Sequence, residues 1–570
     1  MDNKIREWLE KDPDATSRRE LQQLIESGDQ NELDRRFSGR LEFGTAGLRG
    51  VVGAGPAMMN VLVIRQTSAG LGQYLLQNVN DAANRGVLVA YDGRSDSKRF
   101  AKESACVFAA MGITAYVTSD VAATPVAAFG VLDLGCAAGV VVTASHNPPE
   151  YNGFKVYWGN GAQIIPPHDA GIAKEIDIVA NGDVSWIEFE KGTAKGKIVV
   201  LDDGFYQSYI DNIQASPLFA TQPGSRSISI AYTAMHGVGA PIAESMLADA
   251  GFGSVYSVAS QREPDGTFPT VNFPNPEEPG AMDAVIALAR EHGATLACAN
   301  DPDADRLAVA VRTQEGEYEM LTGDMIGVLL ADYLLQMDHD FVPIVCTTIV
   351  SSRLLKELAE SAGADFHETL TGFKWLANVA MDNEDAAGKR QFLFAYEEAL
   401  GYAPGKQVRD KDGLSALLAF AQMADKLAQR GCTVLDHLED IYRRFGIYLT
   451  GQRSIALKPG AGSIGDALRA NPPGDIAGLP LHYCDDLSQG LRIYANGNTQ
   501  SLGFPVSDVL IYRTTDNSRV IVRPSGTEPK VKCYYEIVEK IEDESFSEAM
   551  NRAKARLSAM IEKHQSSLAK

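Results

Sequence analysis

The chain has 570 residues, 45% hydrophobic and 22% charged, which excludes disordered, collagenous and small disulfide-stapled classes. Its 52 Lys plus Arg against 74 Asp plus Glu give a formal charge of −22. A chain this acidic, with no block of Lys and Arg, is expected to bind neither nucleic acid nor a membrane surface.

The polar start, Met1 to Glu7, lacks the apolar core of a signal peptide, and no later run reaches the length of a membrane span, so a cytoplasmic location is expected. Residues 1–37 predict a helical preamble, with Ser17 and Glu20 at capping-box spacing and Leu21, Leu24 and Ile25 on one face. A glycine-rich loop follows, Phe43-Gly44-Thr45-Ala46-Gly47-Leu48-Arg49-Gly50. From about 60 to 205, short apolar strands (Val87-Leu88-Val89-Ala90, Gly139-Val140-Val141-Val142) alternate with helical segments such as 101–111. The rhythm returns twice, with strands at 227–231 and 343–346, which predicts three similar α/β domains with mixed sheets, alike in architecture rather than in sequence. Past about 447 shorter strands (491–494, 509–512, 520–522) and a last amphipathic helix carrying Met550, Ala553, Leu557 and Ile561 predict an α+β domain. The expected domains are 1–207, 208–322, 323–446 and 447–570. Seven cysteines, far apart and without a C-x-x-C pair, argue against structural zinc, iron–sulfur clusters and a disulfide framework.

Each predicted block has a strand that ends in a polar loop. Asp301-Pro302-Asp303-Ala304-Asp305 places three carboxylates in one turn. Converging anions repel without a cation, so a hard divalent ion is the natural partner, the alternative being a solvated acidic turn. An EF-hand is excluded, because Arg306 and Arg312 stand where glycine and glutamate are required. Mg²⁺ is preferred to Ca²⁺, since three carboxylates leave positions for a phosphate oxygen and water. Thr143-Ala144-Ser145-His146-Asn147-Pro148-Pro149 exposes a serine at a strand end, with His146 as a proton-transfer neighbour; the same residues also make a good turn. It is not a G-x-S-x-G elbow. Arg523-Pro524-Ser525-Gly526-Thr527-Glu528-Pro529-Lys530 has the composition of a phosphate cradle or of a surface turn, and it is not a Walker A loop.

Together these motifs, in this order, resemble the α-D-phosphohexomutase superfamily, the phosphoglucomutase/phosphomannomutase enzymes. Thr371-Gly372-Phe373-Lys374, Tyr396-Glu397-Glu398-Ala399 and Arg409-Asp410-Lys411-Asp412-Gly413 extend the match over essentially the whole chain. Length and preamble resemble the long branch with phosphopentomutases and bacterial α-phosphoglucomutases. The resemblance implies a heart-shaped, four-domain molecule and a phosphoryl transfer between the anomeric and terminal oxygens of an aldose phosphate. Ser145 would carry the phosphoryl group and a sugar bisphosphate would be the intermediate and activator. It implies one Mg²⁺ per chain held by Ser145, Asp301, Asp303 and Asp305. Arg49, Lys155, Lys411 and His146 would serve catalysis, with no choice made between acid and base. Thr45, Arg306, Thr371, Gly372, Phe373, Glu397, Arg523, Ser525, Gly526, Thr527 and Lys530 would bind the phosphosugar. The family's sugar loop typically reads Gly-Glu-x-Ser; here Ala399 replaces the serine, which weakens selection for a hexose. Glucose phosphate is expected first, ribose or deoxyribose phosphate next, mannose phosphate third. A sugar-phosphate phosphatase and a sugar bisphosphate synthase are the rivals. Monomer and dimer are both open.

Overall fold

A computed structural model describes residues 3–44, 47–219, 226–456, 464–524 and 530–568. The preamble forms three helices, Asn3–Lys11, Ala15–Ser27 and Gln30–Phe37. The expected cap at Ser17 is corrected: Asp14 caps the second helix, accepting from Thr16 N at 2.9 Å, and Ser17 is buried in the first turn. Asp14 has the extended backbone a cap needs, and the chain reaches it directly after Pro13. Buried Arg36 ties the preamble down, donating to Glu20 at 2.6 Å, Glu32 at 2.7 Å and the Ala54 carbonyl at 3.1 Å.

The first sheet contains β1 (Gly47–Val51), β2 (Val87–Tyr91), β3 (Ala115–Thr118), β4 (Ala138–Val142), β5 (Tyr151–Trp158) and β6 (Ile198–Leu201). Its order is β1-β5-β4-β2-β3-β6, with β4, β2, β3 and β6 parallel and the β1–β5 edge antiparallel. Both β2 and β4 are buried from end to end, as strands covered on two faces must be. Alternate residues face different cores. Val87, Val89 and Tyr91 belong to the apolar cluster that also takes in Ile5, Trp8, Leu21 and Leu33 of the preamble, whereas Leu88 and Ala90 join a cluster that continues through the rest of the molecule.

The second sheet has β7 (Ile230–Thr233), β8 (Val255–Ser257), β9 (Leu296–Ala299), β10 (Ala308–Arg312) and β11 (Tyr318–Met320), in the order β11-β10-β9-β7-β8. Its first strand starts later than the expected 227, because Asp425 captures Ser227 N at 2.7 Å and Ser227 Oγ at 2.9 Å. The third has β12 (Val342–Thr348), β13 (Asp365–Thr369), β14 (Arg390–Glu397) and β15 (Gly401–Pro404), in the order β13-β12-β14-β15.

The fourth sheet is antiparallel throughout and has eight strands. They are β16 (Ile447–Ala456), β17 (Asp475–Ile476), β18 (Leu479–Asp486), β19 (Leu491–Tyr494), β20 (Thr499–Ser501), β21 (Leu510–Thr514), β22 (Arg519–Pro524) and β23 (Lys530–Glu539). The order is β16-β23-β22-β21-β18-β19-β20, with β17 beside β18. The last helix, Phe546–Leu568, packs on β23 and β16 through Ala549, Ala553, Met560 and Ile561; Met550 and Leu557 are only partly covered. Three α/β units and a C-terminal α+β unit are the expected fold class. No described helix is long and apolar enough to cross a membrane.

Candidate active site

The parallel strand β4 delivers Thr143 and Ser145 to its carboxyl end. Thr143 Oγ1 donates to Asp92 Oδ2 at 2.6 Å and accepts from Ser145 N at 2.9 Å. Ser145 has φ 52°, a left-handed backbone that a serine adopts only under constraint. Arg94, 4% exposed, supplies the constraint by donating to the carbonyls of Ser145 (2.7 Å), Asn147 (2.5 Å), Pro148 (2.8 Å) and Tyr151 (3.0 Å). Neither Asp92 nor Arg94 stands out from the sequence; the available signal was the polar stretch Asp92-Gly93-Arg94 after a fully buried strand.

Asp301, Asp303 and Asp305, each 1% exposed or less, turn about Ala304, whose φ is 56°. One oxygen from each lies within 4.8 Å of the other two. Ser145 Oγ donates to Asp301 Oδ2 at 2.9 Å and lies 3.2 Å from His146 Nδ1. Lys155 Nζ binds Asp303 Oδ2 at 2.7 Å and Asp305 Oδ2 at 3.0 Å; Lys411 Nζ is 3.3 Å from Asp305 Oδ2. Asp303 Oδ1 and Asp305 Oδ1 are buried without a hydrogen-bond partner. Orphaned carboxylate oxygens beside a third carboxylate fit a hard divalent cation.

The electrostatics separate these acids. Burial, with Asp305 and Asp303 nearby, pushes Asp301 well above the usual carboxylate range. Burial opposes ionisation of Asp303 too, but Lys155 overrides it and holds Asp303 low. Burial, then Arg306 and Arg49, push His146 down to about 2, so its imidazole is neutral and can accept from Ser145 only when that hydroxyl turns away from Asp301.

Three units meet here. Thr124 Oγ1 of the first donates to Asp303 Oδ2 of the second at 2.7 Å. Arg306 bridges to Gly401 of the third, and a Cβ at Gly401 would lie 2.4 Å from Lys411 Cδ, so any larger residue there would displace the Lys411 side chain. Phe373 is buried with Lys411 Nζ 5.7 Å from its ring centre, and Thr371 and Gly372 lead into its helix. Glu397 is raised by burial, with Lys411 and Arg306 opposing. Glu398 instead turns to Ser351 Oγ, 2.9 Å away, and burial and Glu397 push it up to about 7. Ala399 is half-buried beside them. Arg49 Nη1 donates to Asn147 Oδ1 at 3.1 Å.

Arg523 is the penultimate residue of β22 and Lys530 begins β23. Lys532 stands directly across from Arg523, and so shares its face of the sheet, a cation that sequence reading missed. Glu277, also missed, reaches Arg306 at 3.5 Å. Thr45, Ser525, Gly526 and Thr527 lie outside the described residues.

Four domain profiles match this chain in order. They are the phosphoglucomutase/phosphomannomutase alpha/beta/alpha domains I, II and III, over 40–182, 207–316 and 322–445, and the C-terminal domain, over 491–553. The chain belongs to the phosphoglucomutase/phosphomannomutase family. It is therefore a member of the α-D-phosphohexomutase superfamily and a mutase, an isomerase that transfers a phosphoryl group. A probable phosphoribomutase of Schizosaccharomyces pombe is 38% identical over 93% of this chain and 92% of its own. A probable phosphomannomutase of Haemophilus influenzae is 39% identical over 84% and 92%. The crystal structure of parafusin, a phosphoglucomutase from Paramecium, shares the family fold at 20% identity, with a TM-score of 0.66 over 92% of this chain and 95% of that one.

Proposed function

We propose that the enzyme moves a phosphoryl group between the anomeric and terminal oxygens of an aldose phosphate through Ser145. The observation that carries this reading is Ser145 Oγ, held in a strained turn by Arg94 and aimed at the three buried aspartates. In the forward half-reaction the bond between Ser145 Oγ and phosphorus breaks. A sugar hydroxyl oxygen bonds to phosphorus, its proton leaves to a base, and Ser145 Oγ takes a proton. The resulting sugar bisphosphate turns over and returns its other phosphoryl group to Ser145. Asp301, Asp303, Asp305 and a phosphoserine oxygen would hold Mg²⁺, which supplies charge neutralisation for the transferring group. Arg49, Arg306, Lys155 and Lys411 bring positive charge to the same oxygens, against a chain that is −22 overall. Arg523, Lys530 and Lys532, with Ser525, Gly526 and Thr527, grip the phosphate that is not being transferred.

The sequence alone ranks glucose phosphate first. We place ribose 1-phosphate/5-phosphate ahead, because Ala399 offers no hydroxyl to a hexose and a phosphoribomutase is 38% identical over almost the whole chain. Glucose phosphate is the second reading, supported by Glu397, which keeps the family's sugar-loop carboxylate. The test is kcat/KM for ribose, deoxyribose, glucose and mannose 1-phosphates side by side, with sugar bisphosphate present. A preference for glucose over ribose of about a thousandfold, roughly 4 kcal/mol, overturns the pentose ranking. Peptide mapping should find phosphate on Ser145, and Ser145→Ala should abolish turnover with the fold intact. Release of inorganic phosphate, or a need for an outside phosphoryl donor, would instead mark the phosphatase or the synthase.

A further inference from the structure

The far end of the third unit carries a second concentration of positive charge. Helix Gly413–Gln429 starts two residues after Lys411 and rises about 1.5 Å per residue, so its last turn lies roughly 25 Å from the active site. There it meets helix Val434–Phe445 and the end of helix Gly323–Leu335 around an open cavity of about 570 Å³, within the range of small-molecule sites. Lys426, Arg430, Arg443 and Arg444 line it, with the Tyr333 ring and His437; Asp440 is on the same wall.

These cations are available to a ligand. The Arg430 guanidinium has no hydrogen bond or ion pair among the described residues, while its backbone N–H donates to the Leu427 carbonyl at 2.9 Å. Lys426 Nζ lies 5.5 Å from the centre of the Tyr333 ring and makes no ion pair among the described residues. Arg443 pairs with Glu439 at 2.5 Å and Arg444 with Asp332 at 2.7 Å, but both arginine side chains are 45% exposed. The exposed Arg443–Glu439 pair contributes at most about 1 kcal/mol; Asp332 is buried and holds Arg444 more firmly, but each guanidinium keeps unused donors. Cations in the last turn of a helix also offset its dipole, which accounts for Lys426, Arg443 and Arg444 taken singly. It does not account for two helix ends converging on one cavity, nor for unpaired Arg430 beyond the last turn. Cations from two helix ends on one cavity suit an anion with more than one charged group better than a single phosphate.

We propose that this cavity binds a small anion carrying two or more phosphoryl groups, at a site separate from the catalytic cleft. The inference does not depend on which sugar the enzyme isomerises. Nucleoside triphosphates and sugar bisphosphates share the required chemistry. The test is isothermal titration of the full chain with tripolyphosphate, in wild type, in Lys426→Glu/Arg430→Glu and in Arg523→Ala. Tripolyphosphate affinity for one class of site should fall at least tenfold in the double variant, survive in Arg523→Ala and leave mutase turnover unchanged in the double variant. If the double variant misfolds by circular dichroism, Arg430→Gln takes its place, with an expected loss of about threefold. Competition against tripolyphosphate at this site by ATP, or by glucose 1,6-bisphosphate, supports the proposal and names the source; competition by neither overturns it. Binding unchanged by the cavity variants and abolished by Arg523→Ala also overturns it, leaving the cations as helix-end charges only.

Discussion

Asp303 Oδ1 and Asp305 Oδ1 are the most telling atoms in the molecule, because a buried carboxylate oxygen without a donor persists only where something else satisfies it. Asp303→Asn removes one anionic ligand at nearly constant volume. Turnover should fall at least about 100-fold, near 2.7 kcal/mol, and exhaustive chelation should stop wild-type turnover until Mg²⁺ returns. Undiminished rates in either case would exclude the metal reading. At the sugar loop, Ala399→Ser should shift kcat/KM toward glucose over ribose by about 3- to 10-fold, the value of one hydrogen bond of roughly 0.5–1.5 kcal/mol. An unchanged ratio would show that Ala399 does not face the sugar. At this scale the aspartates were legible because they lie in one five-residue turn. Arg94 was not, since its acceptors lie more than 50 positions away, and Lys532 was not, since only the register of β22 and β23 puts it beside Arg523.

Among elements, the serine loop and the C-terminal helix make separate predictions. Arg94→Met would leave four carbonyls without their donor and buried Asp92 without its counter-cation, although Ser97, Thr143 and the backbone N–H of residue 94 would still donate to it. Stability should fall by roughly 3–5 kcal/mol, the usual loss when one partner of a buried charged pair is removed, and kcat should fall more than KM rises. Thermal unfolding and steady-state kinetics on one preparation would show it. In helix Phe546–Leu568, His564 is 3% exposed, lies 2.9 Å from the Tyr535 hydroxyl and is lowered to about 4 by burial. Its folded pKa is below the unfolded value near 6.5, so its contribution is present above pH 6.5 and is lost as pH falls toward 4. Denaturant midpoints at pH 7.5 and 4.5 should therefore differ less in His564→Gln than in wild type, by about 2 kcal/mol. Equal gaps would mean the helix loosens before His564 titrates. The strand–loop rhythm of these elements was readable from apolar runs, but one local repeat was not. Thr233-Ala234-Met235-His236 copies the Thr-Ala-x-His step of the serine loop, with φ 52° and a 2.9 Å bond to the threonine hydroxyl at both Ser145 and Met235. Four residues are too few to stand out until the backbone shows them in the same turn.

For the whole molecule, the joints matter more than the units. The fourth sheet is fastened to the third unit by Glu536, which accepts from Ser352 Oγ at 3.0 Å, Arg353 N at 2.8 Å and Arg353 Nε at 2.5 Å, and by Thr450 Oγ1 donating to Asp324 at 2.6 Å. Glu536→Gln should raise KM for the phosphosugar several-fold if Arg523, Lys530 and Lys532 grip its phosphate as proposed, because β22 and β23 would no longer be held against the third unit, while chemistry at Ser145 is left alone. A fall in kcat with KM unchanged would contradict that division. Sequence patterns cannot reveal such joints, since every partner is remote along the chain and no spacing encodes them.

The first sheet's division between two apolar clusters bears on how the chain is made. Val87, Val89 and Tyr91 find their partners as soon as the preamble and first unit leave the ribosome. Leu88 and Ala90 lie on the opposite face, under helix Thr124–Asp133, and the apolar cluster they join runs on through the later units as far as Met560 and Ile561. That cluster is complete only when the last helix has been made, roughly 430 residues after helix Thr124–Asp133, which at about 5–20 residues per second is about 20–90 s. The interval is long enough for a chaperone to bind, and for neighbouring nascent chains on the same message to find each other first.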